Sequence, residues 1–205
     1  MSYARDVLRA LVLLLIAIAV ADAGVRARPS DLVDVATVIP DAVIDMRYAT
    51  ADNFTGTTLY PVATCKLRRA VATRLARAAK RLREQGRRLL VWDCYRPTSI
   101  QAVLWKRVPD PRYVANPKQG SRHSRGAAVD VGLVDADGKP VALPTAFDDF
   151  SAAAHRRRAL KGKRGAEARR LARAMKAAGF VGLATEWWHF DAPDAATYRL
   201  SDEPL

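Results

Sequence analysis

Apolar positions recur along this chain with two different periods, and the changes between them mark out its elements. Leu67, Ala70, Val71, Leu75, Ala78 and Leu82 recur at helical spacing and predict a helix that stops at Gly86. Leu89-Leu90-Val91-Trp92 is a short apolar run, read as a buried strand. Arg96-Pro97-Thr98-Ser99 opens a second helix running to about Arg107, with Pro97 in the first turn, where its missing N–H costs nothing. The proline-rich stretch from Val108 to Gly120 predicts a loop.

Ala127 to Val134 reads as a strand, closed by the turn Asp135-Ala136-Asp137-Gly138. A final helix over about Ala166 to Ala178 ends at Gly179, and a last strand pattern runs from Phe180 to Leu183 and on through Trp187 to Phe190. Upstream, residues 24–64 look extended and turn-rich. Within them Val43 to Tyr48 alternates as a half-buried strand does, and Asp52 to Gly56 reads as a turn. Helices and strands mix without a regular βαβ alternation, which predicts an α+β single domain with a mainly antiparallel sheet flanked by helices.

The first residues change the picture of where the protein works. Arg5 and Arg9 precede an apolar run from Ala10 to Ala21, and Ala21-Asp22-Ala23 offers a small-x-small cleavage site. That layout is a secretory signal peptide over residues 1–23, leaving a mature domain over 24–205. The run is shorter than the roughly 20 residues of a membrane span, so no stable membrane insertion is expected after cleavage. A periplasmic or secreted location follows. In that oxidising setting the two cysteines, Cys65 and Cys94, are expected to form a disulfide.

The net charge is +13, concentrated in Lys66–Arg88 and Arg156–Arg173. Both stretches carry apolar residues at helical spacing, so solvated basic helix faces are expected rather than a nucleic-acid surface. A basic surface would still favour encounter with anionic envelope polymers.

Two of the three histidines sit in unusual company. Ser121-Arg122-His123-Ser124-Arg125-Gly126-Ala127-Ala128-Val129-Asp130 places His123 at the end of a loop and Asp130 inside an apolar strand. There Val129, Val131 and Leu133 would face the core and Asp130 the other side. A carboxylate in that position is costly unless its charge is compensated, and a divalent metal does so. Thr185-Glu186-Trp187-Trp188-His189-Phe190 sets a carboxylate and an imidazole three positions apart among aromatics. In a straight strand they would point to opposite faces, so both can serve one site only if the chain bends near Glu186. Two His and one Asp with a fourth position for water compose a catalytic zinc site. Glu186, outside the metal shell, would then handle the proton. His155 has no such company and reads as a surface histidine in a basic helix.

These segments resemble the zinc D-Ala-D-Ala metallopeptidases, most closely their D-alanyl-D-alanine dipeptidase branch. The likeness extends to Tyr48 to Gly56, to Trp92-Asp93-Cys94-Tyr95-Arg96-Pro97 and to Phe147-Asp148, and spans about residues 40 to 190. The resemblance implies one zinc per chain, in a central cleft, held by His123, Asp130 and His189. It makes Glu186 the general base and Arg96 the cation that stabilises the oxyanion. Tyr48, Ser121 and Asp148 become the substrate-binding positions, Asp148 suiting a free amino terminus. Arg122 and Cys94 stand where smaller residues are common in that family.

The activity so implied is hydrolysis of the dipeptide D-Ala-D-Ala to two D-alanines, with cell-wall peptide turnover as its role and a small peptide as its partner. The alternatives are a D,D-carboxypeptidase or endopeptidase acting on longer peptidoglycan peptides and, in a different class, a non-catalytic zinc-stabilised envelope-binding module. Oligomeric state is not legible in the sequence.

Overall fold

Two strands, each with an apolar run at its middle, form the centre of the sheet. In the computed structural model, which describes residue 28 and residues 30–205, these are β4 (Arg87–Asp93) and β5 (Ala128–Asp135), paired antiparallel. The signal peptide expected over residues 1–23 lies outside the described residues. Around the central pair the order is β2 (Val43–Ile44), β4, β5, β7 (His189–Asp191) and β6 (Val181–Gly182). Among the described residues only the β2–β4 pairing is parallel. A separate two-stranded ribbon joins β1 (Leu32–Asp34) to β3 (Lys66–Arg68). The mainly antiparallel α+β architecture is therefore present.

Val129, Val131 and Leu133 alternate along β5, and all three are buried in the main apolar cluster. That cluster also takes Val71, Leu75, Ala78 and Leu82 from the long helix α2 (Arg69–Arg83), and Ala168, Leu171, Ala174 and Met175 from α5 (Ala166–Ala177). The apolar stripes read from the sequence are thus the buried faces of these helices. Basic residues in the last turn of α2, namely Lys80, Arg81 and Arg83, complement the helix dipole there. Arg87 at the start of β4 ties α5 to the sheet through both carboxylate oxygens of Glu167, at 2.8 and 3.0 Å. No helix among the described residues is long and apolar enough to cross a membrane.

Several elements differ from the pattern-based expectation. The strand expected over Val43 to Tyr48 is cut to two residues, and Arg47–Ala49 closes into a 3₁₀ turn that buries Tyr48. The extended region before residue 64 contains a short helix, α1 (Val35–Val38), capped by Asp34, whose carboxylate accepts from the Ala36 N–H at 2.9 Å. The helix after Pro97, α3, spans Thr98–Arg107 and ends where expected, but Pro97 is its N-cap rather than part of its first turn. A four-residue helix, α4, covers Arg156–Ala159. The single strand expected from Phe180 to Phe190 is broken into β6 and β7, with an irregular segment over residues 183–188. His155 precedes α4 and is half-buried, with its Nε2 enclosed and unpaired, rather than lying on the surface.

Cys65 and Cys94 meet where β3 begins and β4 ends, at disulfide distance with their Cα atoms 5.3 Å apart. Beside them the Tyr95 N–H donates to the Lys66 carbonyl at 2.9 Å. The chain leaving β4 is thereby held against β3 just before it delivers Arg96.

Candidate metal centre

The face of β5 opposite the helices carries Asp130, and strand pairing decides what stands next to it. Asp130 is in register with His189 of β7 on one side and with Asp93 of β4 on the other. A β-bulge between Val91 and Asp93 makes the second pairing possible. Without the extra residue, Asp93 would fall opposite Val129 rather than Asp130. His123 arrives from a 3₁₀ turn, His123–Arg125, that ends on Gly126 at φ 65°, in the left-handed region. A Cβ at Gly126 would press on Leu32, so this sharp entry into β5 requires glycine.

His123, Asp130 and His189 are all buried, and one ligand atom from each lies within 4.8 Å of the others. His123 Nε2 is 3.2 Å from His189 Nδ1 and 3.4 Å from Asp130 Oδ2, while His189 Nδ1 is 2.9 Å from Asp130 Oδ1. The far side of each ring is tied down. His123 Nδ1–H donates to the Cys94 carbonyl at 2.7 Å, and His189 Nε2–H donates to Asp191 Oδ1 at 2.9 Å. Both partners accept only, which fixes the tautomers and leaves His123 Nε2 and His189 Nδ1 to face a shared point. An outer carbonyl or carboxylate on each imidazole is the usual support of metal-binding histidines.

The electrostatics ask for positive charge at that point. Burial disfavours ionised Asp130, yet His123 and His189 outweigh it and hold the carboxyl well below its usual range. Burial likewise opposes a charged His189, but hydrogen bonds to Asp130 and Asp191 hold its pKa up at about 10. The donor set thus fits a divalent cation in composition, spacing and charge.

Glu186 is buried, with Oε2 3.8 Å from His189 Nδ1. Burial pushes its pKa up to about 8, with His189 opposing the rise and Asp130 adding to it. The bend required for Glu186 and His189 to serve one site is present, in the irregular segment between β6 and β7.

Arg96 lines the same cavity and is itself buried. Its Nε donates to Asp93 Oδ2 at 3.1 Å, Nη1 donates to Gln101 Oε1 at 2.8 Å, and the guanidinium lies 5.2 Å from the centre of the Tyr48 ring. Asp93 also accepts from the Tyr60 hydroxyl at 2.7 Å and from the Cys94 N–H at 2.9 Å. The cation is therefore locked on three sides.

Tyr48, Ser121 and Asp148 all line the cavity. Tyr48 donates its hydroxyl proton to Asp148 Oδ2 at 3.1 Å, and Ser121 Oγ accepts from the His123 N–H at 3.1 Å. Asp148 has φ 57°, a strained conformation for a residue with a side chain, and burial pushes its carboxyl well up, helped by Asp130. Neighbouring Asp149 instead caps the next turn, accepting from the Ser151 N–H at 2.9 Å. The cavity holds about 150 Å³.

Three residues of this site carry no assignment from sequence. Asp93 lies in the Trp92–Pro97 segment, and its role depends on the bulge. Asp191 follows His189 by two positions, the same-face spacing of a strand, and also pairs with Arg122 at 3.2 Å. Arg156, from α4, donates to the carbonyls of the segment that carries Glu186 and His189.

A mixed α+β domain with two imidazoles, a carboxylate and a nearby buried Glu around one point defines a metal-dependent hydrolase, and comparison with known proteins narrows the class. A family model described as D-ala-D-ala dipeptidase matches residues 28–203. The chain belongs to that family, peptidase family M15, whose members are metallopeptidases. It is 40% identical over 172 residues to the D-alanyl-D-alanine dipeptidase of Escherichia coli K12, covering 83% of this chain and 89% of the relative. It is 33% identical over 182 residues to a protein of the same name from Enterococcus faecalis V583, covering 78% and 86%. With the one from Streptomyces coelicolor it shares 34% over 188 residues, again 78% and 86%.

Proposed function

We propose that this protein hydrolyses D-Ala-D-Ala to two D-alanines, using one zinc ion held by His123, Asp130 and His189. The carrying observation is the convergence of those three side chains with Glu186 and Arg96 on a single small cavity. Zinc bound there would polarise the scissile carbonyl and acidify a water molecule.

The chain's own groups supply the remaining steps. Glu186 takes a proton from the attacking water at its carboxylate and passes it to the leaving amine. Arg96, fixed by Asp93 and Gln101, meets the negative charge that develops on the carbonyl oxygen. A cation already oriented pays no reorganisation at that moment. Asp148, reached by the Tyr48 hydroxyl, receives the free ammonium of the dipeptide, and Ser121 lines the wall beside His123.

Size and charge favour the free dipeptide over a longer peptide. A cavity of about 150 Å³ is well below the roughly 300–1,000 Å³ of sites that take drug-sized ligands. The Asp148 carboxyl in its lining would also leave an acylated terminus without a partner.

The same reading places the mature protein outside the cytoplasm, with Cys65 and Cys94 oxidised, meeting D-Ala-D-Ala released from the cell wall. Its support is the apolar run at residues 10–21 and the apposition of the two cysteines. Chelation tests the metal assignment. D-Ala-D-Ala cleavage should cease in chelator and return with one equivalent of zinc; undiminished cleavage in metal-free protein would refute it.

A further inference from the structure

Glu186 and His189 are an odd number of positions apart, so a regular strand would send them to opposite faces. Something must hold the chain out of strand geometry between them, and the structure shows one side chain doing so. Arg156 Nε donates to the Leu183 carbonyl at 3.0 Å. Its Nη2 reaches the carbonyls of Trp187 and His189, each at 2.9 Å, and that of Glu186 at 3.3 Å. Four carbonyls of one short segment thus converge on a single guanidinium.

We propose that Arg156 is a positioning residue for the metal centre: its guanidinium gathers the carbonyls of residues 183–189 and sets the bend that turns both Glu186 and His189 into the cavity. The proposal rests on the roles given above to those two residues.

Three further observations fit this role. The guanidinium stacks 4.4 Å from the centre of the Phe190 ring, which fixes its plane. A Cβ at Gly182 would overlap the guanidinium, so the lack of a side chain there makes the space. Two backbone bonds dock the start of α4 on the same segment, Arg156 N–H to Ala184 O at 2.9 Å and Trp187 N–H to Ala154 O at 3.1 Å.

No carboxylate pairs with Arg156 among the described residues, and carbonyl dipoles together with the Phe190 ring face its charge. Drawing a cation partly out of water this way is costly unless such carbonyls accept its hydrogen bonds. Lysine cannot replace it. An ammonium is a point charge with three donors, whereas the planar fork reaches carbonyls spread along the bend.

The test compares Arg156→Lys and Gly182→Ala with wild type in the zinc-loaded full chain. Zinc affinity is read by chelator competition, kcat and KM on D-Ala-D-Ala, and folding by thermal melting. In the folded variants zinc affinity should fall about 10-fold and kcat about 10- to 100-fold, the range for groups that orient metal ligands, with KM within about threefold. Gly182→Ala displaces the guanidinium without removing it, so it reports even if Arg156→Lys does not fold. Folded variants that keep zinc affinity and kcat within about twofold of wild type overturn the proposal. If wild type did not cleave the dipeptide, the functional reading alone would fall, because zinc affinity in the variants still decides the role of Arg156.

Discussion

Asp130 and His189 face each other across β5 and β7 as a register pair, with Oδ1 and Nδ1 2.9 Å apart. Antiparallel pairing sends both side chains to one face of the sheet, so the ladder itself assembles two of the three candidate ligands. His123 is added from the turn that leads into β5, and Glu186 from the bend that precedes β7. The centre is therefore as rigid as the sheet on one side and as precise as a loop allows on the other.

Glu186→Gln preserves shape and removes the proton acceptor. Zinc stoichiometry should remain at one per chain while kcat falls by about 10²- to 10⁴-fold, the span attributed to positioned acid–base groups. Metal analysis and steady-state kinetics on one preparation check both halves. Retained turnover would remove Glu186 from the role of base.

Asp93→Ala leaves the Arg96 guanidinium and the Tyr60 hydroxyl without their shared acceptor. Breaking a buried pair from one side costs about 3–5 kcal/mol, so a clear drop in denaturant midpoint is expected. Because Arg96 loses its aim, kcat should fall about 100-fold or more in the molecules that remain folded. Parallel measurement on Arg96→Ala should show a kcat loss of the same order, and the double variant little further loss, as expected for groups acting as a unit.

Asp148→Asn removes the carboxyl proposed to receive the substrate ammonium. KM for D-Ala-D-Ala should rise about 10-fold or more, the scale of a lost charge-assisted hydrogen bond, while zinc content stays unchanged. An unaltered KM would place the amino terminus elsewhere in the cavity.

The ion pair between Arg87 and Glu167 gives a pH signature separate from the site. Hydrogen bonds from Arg87 hold the Glu167 carboxyl below its usual range. A depressed folded-state pKa means the contribution is present above the unfolded pKa of a glutamate and is lost as pH falls through the lower folded value. Glu167 is partly solvated, so the contribution at neutral pH is set at about 1 kcal/mol or less. Glu167→Gln should lower stability near pH 7 by that amount and flatten the acid limb of the stability curve. A steeper acid limb in the variant would reverse the sign argued here.

The legible part of this site was carried by residue type. Histidine and aspartate are rare inside apolar segments, so His123, Asp130, Glu186 and His189 stood out without knowledge of the fold. The periodic helices were legible for the same physical reason, since α2 and α5 each bury one continuous stripe. What escaped depends on departures from period. The bulge that brings Asp93 opposite Asp130 adds one residue to one strand and leaves no hydrophobic signature. The bend over residues 183–188 could be required from the positions of Glu186 and His189, but its holder, Arg156, sits almost 30 residues earlier among other basic residues. The strand expected at Val43–Tyr48 failed because Tyr48 turns inward through a 3₁₀ turn to meet Asp148, a tertiary contact that overrides local alternation. His155 looked like a surface residue in a charged run, yet the docking of α4 onto the 184–187 segment draws it partly inside.

The most direct test of the account compares kcat/KM of the zinc-loaded protein on D-Ala-D-Ala and on an N-acetylated peptide ending in D-Ala-D-Ala. The small cavity and the Asp148 carboxyl predict cleavage of the free dipeptide, with the acetylated substrate slower by about 100-fold or more, as expected when a site's polar group is left without its partner. Faster cleavage of the acetylated substrate would contradict it.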